Sequence, residues 1–237
     1  MKRIVILTGA GVSAESGIPT FRDAGTGLWE NYSVEDVCVS GCLKKNPEVV
    51  HEFYNMLRKK YGQCKPNAAH YAIAELEKDY EVTVVTQNVD DLHEQAGSTH
   101  VIHLHGELMK CRDTGNTNYI YPIPQDENGE YNTYPGMKID GRTMRPHVVM
   151  FGEDVPNLEL AASYVKNADI CVVIGTSFNV YPAAGLVEYA DWESPVFYID
   201  PKPAPTPDYP WIQVIAEPAS KGMATLVEKL KELENNG

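Results

Sequence analysis

The apolar run Ile4-Val5-Ile6-Leu7 passes through Thr8 into Gly9-Ala10-Gly11-Val12-Ser13-Ala14, and that junction restricts the fold more than any other stretch. A short β-branched run ending in a glycine turn is how a parallel sheet brings backbone N–H groups to a nucleotide's phosphates. The spacing reads G-x-G-x-x-A, a permitted form of the dinucleotide-binding turn. Gly9 suits the tight turn, Gly11 lets the backbone approach a pyrophosphate, and Ala14 permits close packing. The same pattern also serves a plain strand-to-helix turn.

The continuation departs from an ordinary dehydrogenase, which would supply a helix, a second strand and an acidic residue about 20 positions on. Pro19, Gly25 and Gly27 break up the segment Glu15 to Trp29. The reading is a loop that carries Phe21 and Arg22 beside the phosphate turn. Its aromatic residues favour an ordered lid over a disordered linker.

Further apolar runs at Val82–Thr86, Val101–Leu104, Ile170–Ile174, Val196–Ile199 and Ile212–Ile215 are predicted as strands. Helical spacing is predicted over Glu48–Tyr61, Asn67–Lys78, Leu158–Lys166, Ala183–Tyr189 and Ala219–Leu233. The alternation predicts an α/β fold, a doubly wound Rossmann-like parallel sheet with a smaller inserted domain. The whole of 1–237 is read as one catalytic domain. Its core spans roughly 1–23, 65–109 and 146–237, and the small domain roughly 24–64 and 110–145. Turn residues and short aromatic runs dominate the second insert.

A hydrophobic fraction of 43% is enough for a sizeable core, and a net charge of -13 disfavours a nucleic-acid partner. No apolar run reaches the ~20 residues of a membrane span. The five cysteines form no even framework, which points to a reducing, cytoplasmic compartment. The first strand starts at once, so no signal peptide is expected.

Polar groups cluster where the predicted strands end, as ligand groups do in open α/β sheets. Gln87, Asn88 and Asp90 follow the Val82–Thr86 run, placed either for a ribose and a carboxamide or as a helix cap. His103 and His105 would share a face if the strand persisted, with Gly106 ending it and exposing His105. An imidazole there suits general-base work. Gly175-Thr176-Ser177 and Asp200 end two later strands. Arg145 to Glu153 reads as an extended piece leaving the insert, placed for pairing with a peptide or as an internal edge strand.

Several of these stretches, in order, resemble the sirtuin family: Gly9-Ala10-Gly11-Val12-Ser13 with Ser16-Gly17-Ile18-Pro19 and Phe21-Arg22; Thr86-Gln87-Asn88-Val89-Asp90 with Leu92-His93; Leu104-His105-Gly106; Phe151-Gly152-Glu153; and Gly175-Thr176-Ser177 with Val180 and Pro182. The resemblance implies an NAD-dependent protein-lysine deacylase acting on acyl-lysine proteins or peptides. In that chemistry the acyl oxygen attacks the nicotinamide ribose, nicotinamide leaves, and the acyl group passes to ADP-ribose. It implies that His105 is the base and that Asn88 works beside it. Gly9, Ala10, Gly11, Ser13, Phe21 and Arg22 would line the dinucleotide. Gln87 and Asn88 would hold the nicotinamide ribose, with Ile18 and Asp90 at the carboxamide. Gly175, Thr176, Ser177 and Asp200 would meet the adenosine side. Val148, Phe151 and Gly152 would contact acyl-lysine and peptide. A monomer is plausible by the same resemblance.

The chain departs from the family pattern in places. Two C-x-x-C pairs usually hold a structural zinc in the insert; here Cys111 stands alone, with Thr114 in the partner's place. No metal is therefore expected, and Tyr119, Tyr121, Tyr131 and Tyr134 are expected to supply a substitute core. Relatives that remove negatively charged acyl groups carry a tyrosine and, three residues on, an arginine in the first small-domain helix. Tyr54 matches the tyrosine, Leu57 takes the arginine position, and Arg58 follows, turned about 100° around the helix. Tyr54 and Arg58 are read as substrate-binding, with acetyl or another neutral acyl group favoured and succinyl as the alternative. Asp200 replaces a common asparagine, and His103 stands where many relatives are acidic. Rival readings are mono-ADP-ribosyl transfer to protein, a non-catalytic NAD-binding module, and a hydride-transferring dehydrogenase.

Overall fold

The structure is a computed structural model that describes residues 1–20, 32–178, 180–204 and 211–235. Its strands are β1 (Arg3–Thr8), β2 (Glu81–Thr86), β3 (Val101–His103), β4 (Gly106–Asp113), β5 (Ile120–Pro122), β6 (Lys138–Ile139), β7 (Arg142–Val148), β8 (Ile170–Ile174), β9 (Val196–Ile199) and β10 (Ile212–Ile215). Its α-helices are α1 (Val34–Val37), α2 (Cys42–Lys45), α3 (Pro47–Tyr61), α4 (Ala68–Glu75), α5 (Leu92–Ala96), α6 (Leu158–Lys166) and α7 (Ala219–Asn235).

One parallel sheet runs β10-β9-β8-β1-β2-β3. Counted along the chain, this is the doubly wound order, which reverses direction on either side of β1. The central strands are buried on both faces, so their sequences are continuous apolar runs rather than alternating ones. Alternate side chains still sort by face. Ile4, Ile6, Val172, Ile174 and Ile199 pack with Ile73 of α4 and Met223, Leu226 and Leu230 of α7. Val5, Leu7, Cys171, Val173 and Tyr198 pack with Ala161 and Val165 of α6 and with Leu186. Each fully buried aliphatic side chain contributes roughly 1.5–3 kcal/mol, so this double layer is the main source of cohesion.

A second, four-stranded sheet runs β5-β4-β7-β6, with antiparallel pairing throughout. It branches from the first at Gly106. Gly106 therefore opens β4 rather than ending the strand before it, which stops at His103. Its φ of 84° is a left-handed conformation that glycine tolerates.

Some expectations are corrected. Ala183–Tyr189 is a 3-10 helix, tightened by the i→i+3 bond from Gly185 N–H to the Pro182 carbonyl. The helix from Asn67 changes to 3-10 at Leu76–Lys78. The strand before Gly106 ends at His103, one residue short of Leu104, whose N–H still makes the last bond to β2 at the Thr86 carbonyl while the His105 ring reaches the Gln87 carbonyl. Tyrosines do not build the core of the insert. Tyr119, Tyr131 and Tyr134 are exposed, and only Tyr121 packs against the buried cluster of Cys111, Ile123, Met137 and Met144. The Arg142 guanidinium holds the Tyr119 ring on the outside, 3.4 Å from its centroid.

Candidate active site

Where β1 and β8 end, their turns cross in contact. Gly9 N–H donates to the Ile174 carbonyl at 3.0 Å and Gly11 N–H to the Gly175 carbonyl at 2.9 Å. A Cβ on Gly11 would stand 2.5 Å from the Gly175 Cα, so the crossing excludes side chains. Beneath the turn, Asn67 caps α4 by accepting from Ala69 N–H. Its amide also donates to the Val12 carbonyl at 2.8 Å and to the Ser16 hydroxyl at 3.0 Å. The glycine turn is thus tied to a helix on the covered face of the sheet.

The strand ends open into a cavity of about 610 Å³, in the size range of small-molecule sites. Gly9, Ala10, Gly11, Gly175, Thr176, Ser177 and Asp200 line it, as do Ile18, Gln87, Asn88, Asp90 and His105. Tyr54, Val148, Phe151 and Gly152 complete the expected residues found there. Ser13 lies behind this wall, 1% exposed, where it donates to Asp90 and accepts from the Asn88 amide, both at 3.1 Å. Phe21 and Arg22, with most of the expected lid, lie outside the described residues.

Arg58 is a correction. It is buried and absent from the cavity wall. Its guanidinium donates to the Tyr131 carbonyl at 2.7 Å, the Leu108 carbonyl at 3.1 Å, the Thr133 hydroxyl at 2.8 Å and Asn55 Oδ1. The helical rotation that separates Arg58 from Leu57 sends it into the small sheet. Leu57 takes the place on the wall beside Phe53, Tyr54 and Tyr61. Among the described lining residues Lys202 is the one cation, and it stands two positions after Asp200.

His105 has the geometry of a base. Its Nδ1 is 2.9 Å from the Gln87 carbonyl oxygen, an acceptor only, so Nδ1 carries the proton and Nε2 is left as a proton acceptor. Burial lowers the ring's pKa and outweighs the Gln87 bond, so the ring is neutral at pH 7. Gln87 in turn donates to the Thr176 hydroxyl at 3.2 Å. Asn88 donates to the Gly9 carbonyl at 3.2 Å. Burial raises the pKa of Asp90, against the bonds it accepts from Leu92 N–H and Ser13.

Residues 9–182 match the profile described as the Sir2 family. The chain belongs to that family. An NAD-dependent protein deacylase of Bacteroides thetaiotaomicron is 52% identical over 98% of both chains. A solved Sir2 homolog–NAD complex superposes with a TM-score of 0.83 at 38% identity, covering 98% of this chain and 90% of that one. A Sir2 structure with a deacetylated p53 peptide and 3′-O-acetyl ADP-ribose gives a TM-score of 0.76 at 28% identity, covering 95% and 92%.

In this Sir2 chain some wall residues were not singled out from the sequence. Glu15 sits one residue beyond the glycine motif. Cys38, Phe53, Leu57 and Tyr61 come from the small region, and Met150 from the segment after β7. The helical apolar stripe of α3 held the available signal for Phe53 and Leu57, but a stripe does not say which of its residues border a cavity. The loop carrying Phe151 is fixed by Glu153. Glu153 accepts from Arg145 at 2.6 Å, from Arg112 at 2.9 Å and from Met150 N–H at 3.0 Å. Those bonds outweigh its burial and hold its pKa below the ordinary carboxylate value. The Phe151 backbone is also engaged, donating to the Cys38 carbonyl and accepting from Ser40 N–H.

Proposed function

We propose that this Sir2 chain removes acyl groups, acetyl above all, from protein lysine side chains, consuming NAD and transferring the acyl group to ADP-ribose. One observation carries the reading. An imidazole on the wall of the cavity has its Nδ1 proton committed to the Gln87 carbonyl and so offers a basic Nε2. NAD, when bound, supplies an electrophilic ribose carbon and nicotinamide as leaving group. The residues around it bind, orient and exclude water.

The glycine crossing with Ala10, Thr176, Ser177 and Asp200 is the dinucleotide part of the site. Gln87, Asn88, Asp90 and Ile18 serve the nicotinamide ribose and carboxamide. Asn88 is held by Gly9 and Ser13, and Ser13 acts from behind. His105 takes a proton from a ribose hydroxyl. Val148, Phe151 and Gly152 with Tyr54 meet the acyl-lysine. We take the core as 1–23, 65–109 and 146–237, with 24–64 and 110–145 as the small domain that completes the site.

A neutral acyl group is favoured because Leu57 lines the wall and Arg58 has spent its donors on the small sheet. A structural zinc does not fit the insert. Cys111 is buried, its thiol points to the Tyr121 carbonyl, and burial raises its pKa. Free cysteines throughout fit a reducing cytoplasm, and a monomer working on proteins suffices for the chemistry.

The test is product analysis by mass spectrometry of NAD with acetyl- and succinyl-lysine peptides. The expected products are nicotinamide, free lysine peptide and acyl-ADP-ribose. kcat/KM on acetyl should exceed that on succinyl by about tenfold or more, since an unpaired carboxylate would be desolvated. ADP-ribose on the protein, NADH, or a succinyl preference would contradict the reading.

A further inference from the structure

His103 has no place on the cavity wall, yet it is held more firmly than its neighbour His105. It ends β3, is 8% exposed, and both ring nitrogens are engaged. Nδ1 lies 3.0 Å from the Asn88 carbonyl oxygen, and Nε2 lies 2.8 Å from Oε1 of Glu94 on α5. A carbonyl oxygen only accepts, and so does an ionised carboxylate. Glu94 is 40% exposed, so water also supports its charge. A ring that makes both bonds must donate from both nitrogens and is therefore an imidazolium. His105, with one nitrogen bonded, is its neutral counterpart.

We propose that His103 is a positioning residue, protonated on both nitrogens at neutral pH and clamped by Glu94, which holds the Asn88 peptide and through it the base and ribose-binding groups of the proposed deacylase site. The bonds form a ladder. Leu104 N–H donates to the Thr86 carbonyl, His105 Nδ1 to the Gln87 carbonyl, and His103 Nδ1 to the Asn88 carbonyl. Three successive carbonyls from the last residue of β2 onward are thus set by three successive residues after Ile102. The Asn157 amide donates to the His103 carbonyl at 2.9 Å and fixes the ladder from the other side. The Asn88 peptide is the next link after Gln87, which orients His105. Freeing it loosens both the Asn88 amide on Gly9 and the base.

The groups around the ring account for its charge. Glu94 and His93 face it from α5, Asp90 from the preceding loop, Glu107 and Lys110 from β4, and His147 from β7. Lys110 is paired with Glu107 at 2.6 Å. His93 and His147 are held neutral, their pKa values lowered to about 3 and about 4 chiefly by burial. Burial alone would lower the pKa of His103, but the Glu94 bond and the charges of Glu94 and Glu107 outweigh it and raise it. Ligand atoms of Glu94, His103 and Glu107 lie within 4.8 Å of one another. The ring proton already supplies the positive charge there.

This inference rests on the deacylase reading for its kinetic part only. The proton count is read directly by nitrogen-15 NMR of the imidazoles. At neutral pH both His103 nitrogens should be protonated and His105 should carry one proton on Nδ1. Glu94→Gln should lower the His103 titration midpoint by about one unit or more. In that variant kcat/KM for NAD should fall about tenfold at slightly alkaline pH. It should recover as the pH drops and the ring recharges, while peptide affinity stays unchanged. Glu94→Asp should restore most of the loss. His103→Gln should lose the same activity at every pH; if it fails to fold, Glu94→Gln and the NMR decide. A singly protonated His103 in the wild type overturns the proposal. So does a Glu94→Gln variant with the wild-type pH profile, or a stoichiometric zinc in place of the ring proton. If the wild type proves not to be a deacylase, the proton count and the NAD affinity of Glu94→Gln still decide whether the clamp exists.

Discussion

The parallel sheet and the small antiparallel sheet are held together by different forces. Ile4, Ile6, Val172 and Ile174 are sealed between apolar layers on both faces, and few polar side chains enter. The antiparallel sheet encloses only Cys111, Ile123, Met137 and Met144 as its own buried cluster. Leu108 of β4 and Val148 of β7 also join the apolar cluster around α3, and the rest of its cohesion comes from arginines that are buried or nearly so. Arg58 ties α3 to residues 131–133 and to β4, while Arg112 and Arg145 converge on Glu153. A segment too short to enclose an apolar core needs another kind of cross-link. Here guanidinium groups reach backbone carbonyls that would otherwise be buried unpaired.

Acid should have the largest effect on both sheets. His51, and His147 of β7 with its side chain 11% exposed, lie at the small sheet, and His70 and His93 are buried beneath the glycine turn. Burial lowers their pKa values to about 4, about 4, about 4 and about 3. In the unfolded chain each would titrate near the ordinary value of about 6.5. Between the two values the unfolded state binds more protons, so stability is present above about 6.5 and is lost as pH falls toward 4. The slope is about 1.4 kcal/mol per pH unit for each such imidazole. His103 works in the opposite direction, since its raised pKa adds stability on the acid side. Urea midpoints should therefore fall steeply from neutral pH to about pH 4.5. A flat profile would mean that these rings are not buried neutral.

Arg58→Met gives a smaller but more local effect. The guanidinium is buried, which lowers its pKa to about 10. Removing it strands the Leu108 and Tyr131 carbonyls, at a cost of about 3 kcal/mol. Hydrogen exchange should accelerate in β4 and residues 131–133 while β1 and β8 stay protected. Uniform acceleration would show that the two sheets are one cooperative unit.

The parts of this molecule that were readable from its sequence share a physical reason. Strands covered on both faces must be continuous β-branched runs, so Ile170–Ile174 and Val196–Ile199 announced themselves. The glycine turn showed in the sequence as a strand-end turn, but its crossing of the Gly175 turn, which leaves no room for a side chain at Gly11, did not. His105 was visible from its place after a strand and before a glycine. The rest depended on partners far along the chain. Nothing local to α3 says that Arg58 will serve carbonyls 50 and 73 residues away. Nor does any spacing reveal that His103 stands against Glu94 and the Asn88 carbonyl. Ser13 belonged to the right motif, but only the fold shows that it supports the wall from behind.

In the proposed reaction the His105 ring, through its free Nε2, is the base in a sequence that breaks NAD. That role is tested most directly by peptide-dependent nicotinamide release from wild type and His105→Ala, with NAD affinity and the urea midpoint measured in parallel. The account predicts release by the wild type only when acyl-lysine peptide is present. In the folded variant, acyl-ADP-ribose formation should fall by about 10²–10⁴ with NAD still bound. A folded, NAD-binding His105→Ala protein that turns over acyl-peptide at close to the wild-type rate would contradict it.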